Sequence, residues 1–185
     1  VTPLDVSVQT DASRSQAGEV IAGWVIVPGG LRPAVGYRRL HRAEPFASIV
    51  AESSTAAEFW AVLAALDDCR RRRAGWPGDP CLSVGVDDQG AATVLAGGSR
   101  AVRIRRTPMV ELVEAIWALA AGFPSCVFAW VPREANRQAH RLTQKPHRAS
   151  GLVETRRAYP RSVHQQIPAP LRANLLALPL ARLLP

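Results

Sequence analysis

Leu4-Asp5-Val6-Ser7-Val8-Gln9-Thr10-Asp11 alternates apolar and polar side chains and stops on a carboxylate. A period of two is the pattern of a half-buried β-strand. Outward from it, Val20 to Val27 is a second apolar run, closed by Pro28-Gly29-Gly30. Those turn residues predict a hairpin into a third strand near Ala34 to Leu40. Ser53 or Ser54 can then cap a helix through Ala56 to about Arg72, apolar on most faces and therefore well buried. Gly75 to Pro80 breaks the chain, and Leu82, Val84 and Val86 give a fourth strand. A short helix covers Gly90 to Leu95, and Pro108 opens another through about Ala121. Cys126 to Val131 is a fifth strand, and a last helix runs from Pro132 to Thr143. The order β-β-β-α-β-α-α-β-α predicts an α/β domain with a five-stranded mixed sheet flanked by helices.

Charge divides the chain of 185 residues in two. Residues 1–143 carry 16 basic and 14 acidic side chains, a net of +2, whereas residues 144–185 carry seven basic side chains against Glu154, a net of +6. Six of the 15 prolines lie in that last stretch, a density that prevents long helices and central strands. We therefore read 1–143 as a domain and 144–185 as a basic Pro- and Leu-rich C-terminal extension. Leu171, Leu175, Leu176 and Leu178 have roughly helical spacing and can dock on the body or a partner.

Hydrophobic residues at 48% and charged residues at 21% exclude a wholly disordered chain. No apolar run approaches the ~18 residues of a membrane span, so no membrane partner is expected. Val1-Thr2-Pro3-Leu4 lacks the basic-then-apolar layout of a signal peptide. Cys69, Cys81 and Cys126 form no Cys-x-x-Cys pair, which argues against a disulfide framework or structural zinc and suits a reducing, cytoplasmic setting. The net charge of +8 makes polyanions, nucleic acid first, the default partner class. A monomer without a small-molecule cofactor is the expectation.

Three acids stand where charge is hard to explain as decoration. Asp11 ends the first strand, Glu58 lies inside the most apolar helix, and Asp87 follows the fourth strand. A carboxylate near a core is unfavourable unless paired or metal-bound, and three together raise one another's pKa unless a cation lies between them. Oxygen-only ligands favour Mg²⁺ or Mn²⁺. Two such ions about 4 Å apart can activate a water and stabilise the leaving oxygen in phosphodiester cleavage. Each acid can equally cap a helix or face solvent at an element end, and the pattern alone leaves this open.

Four motifs add to the pattern: Gln9-Thr10-Asp11-Ala12-Ser13, Thr55-Ala56-Ala57-Glu58-Phe59-Trp60-Ala61, Val86-Asp87-Asp88-Gln89, and Trp130-Val131-Pro132-Arg133-Glu134-Ala135-Asn136 followed by Gln138-Ala139-His140-Arg141-Leu142. In this order the chain resembles the ribonuclease H family, type 1 branch, over about residues 4–143. The resemblance implies a metal-dependent endonuclease that hydrolyses the RNA strand of an RNA–DNA hybrid, using two divalent ions, Mg²⁺ or Mn²⁺. It implies that Asp11 bridges both ions and that Glu58 and Asp87 complete the site. Asp88 reads as a helix cap or a solvent-facing residue.

Two departures from the family matter. The fourth ligand is usually Asp, and here the position holds His140, which we expect at the outer edge of the first metal site, directly or through water. The loop Pro132 to Asn136 lacks the mobile histidine of many bacterial members, and Glu134 is the nearby titratable acid. A hybrid is recognised by shape, phosphates and the 2′-hydroxyl. Ser13 is a candidate contact, and the resemblance assigns the DNA strand to the basic cluster Arg100, Arg103, Arg105 and Arg106. Arg70 to Arg73 reads as the cationic end of a helix. Trp24, Trp60, Trp117 and Trp130 read as core residues. Two other readings remain: a catalytically weak nucleic-acid-binding module of the same fold, or another nuclease of the superfamily.

Overall fold

The computed structural model describes residues 2–14, 19–97 and 108–144. Arg100, Arg103, Arg105, Arg106 and all but the first residue of the 144–185 extension lie outside these residues. The strands are β1 (Pro3–Arg14), β2 (Val20–Pro28), β3 (Ala34–Arg39), β4 (Asp79–Val86) and β5 (Ser125–Trp130). The helices are α1 (Ala47–Glu52), α2 (Ser54–Arg72), α3 (Gln89–Ala96), α4 (Pro108–Ala120) and α5 (Arg137–Thr143). The sheet order is β3-β2-β1-β4-β5, with β1–β2 and β2–β3 antiparallel and β1–β4 and β4–β5 parallel. This is the mixed five-stranded sheet flanked by helices that the alternation predicts.

The two faces of the sheet are covered differently. Leu4, Val6 and Val8 of β1, Val20, Ala22, Trp24 and Ile26 of β2, and Leu82 and Val84 of β4 join the buried face of α2 in the main core. Burying this much apolar surface is the principal force holding α2 against the sheet. The opposite face holds a smaller cluster of Val25, Val27, Val35 and Leu142, where α5 crosses β2. With both faces covered, every residue of β2 is buried. At Gly23 the fit is closest: a Cβ there would lie 2.9 Å from both the Ala139 carbonyl oxygen and the Leu142 Cβ.

Local chemistry sets the ends of the elements. Gly29 N–H donates to the Asp5 carbonyl, and Gly30 takes φ 73°, so the β2–β3 turn uses its glycines as expected. Ser53 accepts from Ala56 N–H at 3.2 Å and starts α2. The arginines ending α2 make ion pairs: Arg70 with Asp67, Arg72 with the buried Asp68, and Arg73 with Asp79. Asp68 also accepts from Trp24 Nε1 at 2.9 Å, which ties α2 to β2.

Several expectations need correction. Helix α1 is unanticipated: it has six residues and one buried side chain, Val50, too little for a helical period to show. Asp11 does not end β1, because antiparallel pairing with β2 continues through Arg14 while parallel pairing with β4 stops at Thr10. Helix α5 begins at Arg137, not Pro132, and turns occupy the residues between. Trp130 is no core residue: at the end of edge strand β5 it is 49% exposed, and its Nε1 donates to the Asp87 carbonyl.

Candidate metal centre

Strand register assembles the first half of the site. Thr10 of β1 pairs with Val86 of β4, so the next residues, Asp11 and Asp87, occupy equivalent places on adjacent parallel strands. Such neighbours lie about 4.8 Å apart across the sheet. Helix α2 supplies the third acid from its second turn, where Glu58 stands among the buried residues Ala57 and Phe59. One carboxylate oxygen from each of Asp11, Glu58 and Asp87 lies within 4.8 Å of the others. Three acids separated by up to 76 positions are thus brought to one point.

The electrostatics of this point are those of acids lacking a counter-charge. Burial pushes the Glu58 carboxyl up to about 9, and the charges of Asp11 and Asp87 add to the effect, while the Ala12 backbone N–H opposes it. Burial also raises Asp87, with Asp11 contributing, while a hydrogen bond from Asn136 and the Arg133 charge pull it back. Glu58 Oε2 is buried without a hydrogen-bond partner. An orphaned carboxylate oxygen beside two further carboxylates fits a hard divalent cation, which would satisfy the lone pairs and reverse the repulsion.

The other face of Asp11 is engaged by α5. Alternation alone puts Asp11 on the same side as Gln9, away from the main core, yet it is only 3% exposed because α5 lands there. Thr143 Oγ1 donates to Asp11 Oδ2 at 2.7 Å, and His140 Nδ1 lies 3.2 Å from the same oxygen. His140 Nε2 lies 2.7 Å from Gln144 Nε2 and 3.2 Å from Arg133 Nη2. Asn136 is fully buried and donates to the Thr10 carbonyl at 2.7 Å. That bond explains why its side chain does not cap α5. His140 therefore reaches the site next to Asp11 and stands outside the carboxylate cluster.

Other residues singled out from the sequence have clear places. Asp88 caps α3, accepting from Ala91 N–H at 2.7 Å. Ser13 Oγ donates to the Thr143 carbonyl at 2.9 Å, which makes it a tie between β1 and the end of α5. Glu134 is exposed. Thr143 and Gln144 are site residues that sequence reading did not single out, and Arg133 and Asn136 entered it only as parts of the fourth motif. Their signal was helical spacing from His140: Asn136 lies four before, Thr143 three after and Gln144 four after.

The family described as reverse transcriptase-like matches residues 5–145. No curated protein matches the sequence. Among solved structures, RNase H1 from the halophilic archaeon Halobacterium salinarum is 24% identical, with a TM-score of 0.58 over 75% of this chain and 93% of that one. The N-terminal RNase H domain of a Mycobacterium tuberculosis protein, solved as a fusion with maltose-binding protein, is 21% identical, with a TM-score of 0.56 over 75% and 90%. LC11-RNase H1 in complex with an RNA/DNA hybrid is 20% identical, with a TM-score of 0.56 over 74% and 92%. These structures share the fold described above. With its sheet order, its carboxylate cluster and a family match across most of its length, the chain belongs to the reverse transcriptase-like family and has the ribonuclease H-like fold.

Proposed function

We propose that this chain is a metal-dependent endoribonuclease that hydrolyses the RNA strand of an RNA–DNA hybrid. The observation that carries the reading is the convergence of Asp11, Glu58 and Asp87 with their oxygens within 4.8 Å. Their donor set fits Mg²⁺ or Mn²⁺. When bound, two such ions activate a water and stabilise the leaving oxygen of a phosphodiester. The protein's own part is to hold the three carboxylates ready. Parallel register fixes Asp11 beside Asp87, α2 delivers Glu58, and Thr143 orients Asp11. Asn136 joins the carbonyl of Thr10 to the carboxylate of Asp87, which keeps the strand ends in step. The fold of LC11-RNase H1, solved with an RNA/DNA hybrid, supports the substrate class.

In this reading residues 1–143 are the catalytic unit, and 144–185 add affinity for the polyanion. Arg100, Arg103, Arg105 and Arg106 are proposed for the DNA strand, and Ser13 for the backbone beside the site. The enzyme is proposed to act as a cytoplasmic monomer. The test is a substrate panel of hybrid, duplex DNA, duplex RNA and branched DNA, assayed with each ion. Cleavage of the RNA strand of the hybrid alone is expected, and preference for branched or duplex DNA overturns it.

One observation favours a second reading, a catalytically weak binding module. His140 stands where the family's fourth carboxylate is usual, and both of its ring nitrogens have protein partners. Hybrid binding without cleavage in either ion would select this reading.

A further inference from the structure

We infer that His140 is a positioning residue for Asp11 and not a metal ligand. As a statement about catalysis this rests on the function proposed above, but the geometry behind it does not. Arg133 Nη2 lies 3.2 Å from His140 Nε2, and a guanidinium can only donate. Nε2 is therefore placed to accept. Gln144 Nε2, at 2.7 Å, offers a second donor to the same nitrogen. The proton of the neutral ring is then on Nδ1, which points at Asp11 Oδ2 across 3.2 Å. A carboxylate oxygen can only accept, so both ends of the ring demand the same tautomer.

This arrangement engages both ring nitrogens with protein groups. Its single lone pair lies between Gln144 and a permanently charged arginine, and its other nitrogen is protonated. Asp11 Oδ2 is likewise engaged, by His140 and by the Thr143 hydroxyl at 2.7 Å. Both contacts fall on one oxygen of Asp11, the acid that clusters with Glu58 and Asp87. The clamp comes from a fixed element: α5 is seated on Gly23 of β2, and Asn136 and Ser13 bond it to β1 on either side. A carboxylate at position 140 would repel Asp11 unless a cation lay between them. The imidazole orients Asp11 without one. At this position the imidazole aligns a neighbouring ligand.

Nitrogen-15 NMR of the histidine ring in the 185-residue chain, with and without Mg²⁺, tests the tautomer directly. The Nδ1–H form is expected, with ring shifts unchanged at saturating Mg²⁺. An Nε2–H form, or an Nε2 resonance displaced by the ion, overturns the inference. Calorimetry with Mn²⁺ supplies the second readout. His140→Ala should weaken Mn²⁺ binding by roughly tenfold, the usual effect of removing a group that orients a ligand, and His140→Asn, which keeps a donor near Nδ1, should restore it to within about threefold. On hybrid, His140→Ala should lower kcat by about tenfold or more with KM within about twofold. His140→Asn, which keeps a donor near the Nδ1 position, should restore most of kcat. A weakened Mn²⁺ affinity that Asn fails to restore contradicts the inference. Because NMR and calorimetry require no cleavage, an inactive wild type would overturn the proposed function and leave this result standing.

Discussion

The hydroxyl of Thr143 donates to Oδ2 of Asp11 across 2.7 Å, joining two residues 132 positions apart in a buried contact. The bond makes the last turn of α5 part of the carboxylate site. Thr143→Val keeps shape and volume but removes the donor. We expect a stability loss of about 1 kcal/mol, the usual worth of one hydrogen bond. Cleavage of hybrid should fall further than that loss explains, and Thr143→Ser should recover it. Thermal unfolding and steady-state kinetics on the three proteins measure both effects. Equal activity in all three would show that Asp11 needs no anchor from α5.

Gly23 controls the same contact from the opposite side. Any Cβ there must push α5 away, since it would meet a backbone oxygen and the Leu142 Cβ at 2.9 Å. Gly23→Ala should cost about 1–3 kcal/mol as an overpacking change and should also lower activity by displacing Thr143 and His140. Gly75→Ala is the matched control, because a Cβ at Gly75 meets nothing within 4 Å. Chemical denaturation of both variants should separate them clearly.

Metal binding should be linked to pH through Glu58. Burial pushes its folded carboxyl up to about 9, well above the usual carboxylate range, so without a cation the folded protein retains a proton there at neutral pH. A raised acid of this kind favours the folded state below the unfolded pKa, and that contribution is lost as pH rises through 9. Asp87 is raised too and acts in the same direction. Stability of the metal-free protein should therefore fall from about pH 4.5 to 9 through these groups. Affinity for Mn²⁺ should do the opposite and rise by roughly tenfold per pH unit up to about 9, one proton being released per ion. Glu58→Gln should remove most of the stability slope. Calorimetry across this range checks the linkage, and a pH-independent affinity would contradict it.

The C-terminal extension should act through charge. Residues 144–185 hold a net of +6 in a chain whose total is +8. Deleting residues from 146 onward should weaken hybrid binding and flatten its dependence on salt, while leaving single-turnover cleavage at saturating enzyme unchanged. An unchanged salt slope would assign those leucines and arginines to structure instead.

Much of the fold was legible because its elements bury one face each. The alternation in β1, the glycine turn after β2 and the apolar length of α2 each state a local period. Helix α1 was not legible, because six residues with one buried side chain carry no period. The three acids could be picked out as charges among apolar residues, yet the role of α5 could not. Period two assigns Asp11 to the face opposite the main core. Only the crossing of α5 over Gly23 buries that face and brings Thr143 and His140 to it. The role of His140 was hidden for the same reason. Its residue type permits metal binding, and only the fold brings Asp11, Arg133 and Gln144 to its ring. Trp130 was misplaced because an aromatic at the end of an edge strand has the same local sequence signature as one in the core.

The proposed hybrid-cleaving activity depends on Asp11, Glu58 and Asp87. The most direct measurement is cleavage of a strand-labelled RNA–DNA hybrid by the wild type and by Asp11→Asn, in Mg²⁺ and in Mn²⁺, with hybrid binding followed in parallel. The wild type should cut the RNA strand and spare the DNA strand, and Asp11→Asn should bind the hybrid but cut neither. A wild type that binds hybrid and cleaves nothing in either ion, or an Asp11→Asn variant that cleaves as fast as the wild type, would contradict the proposed function.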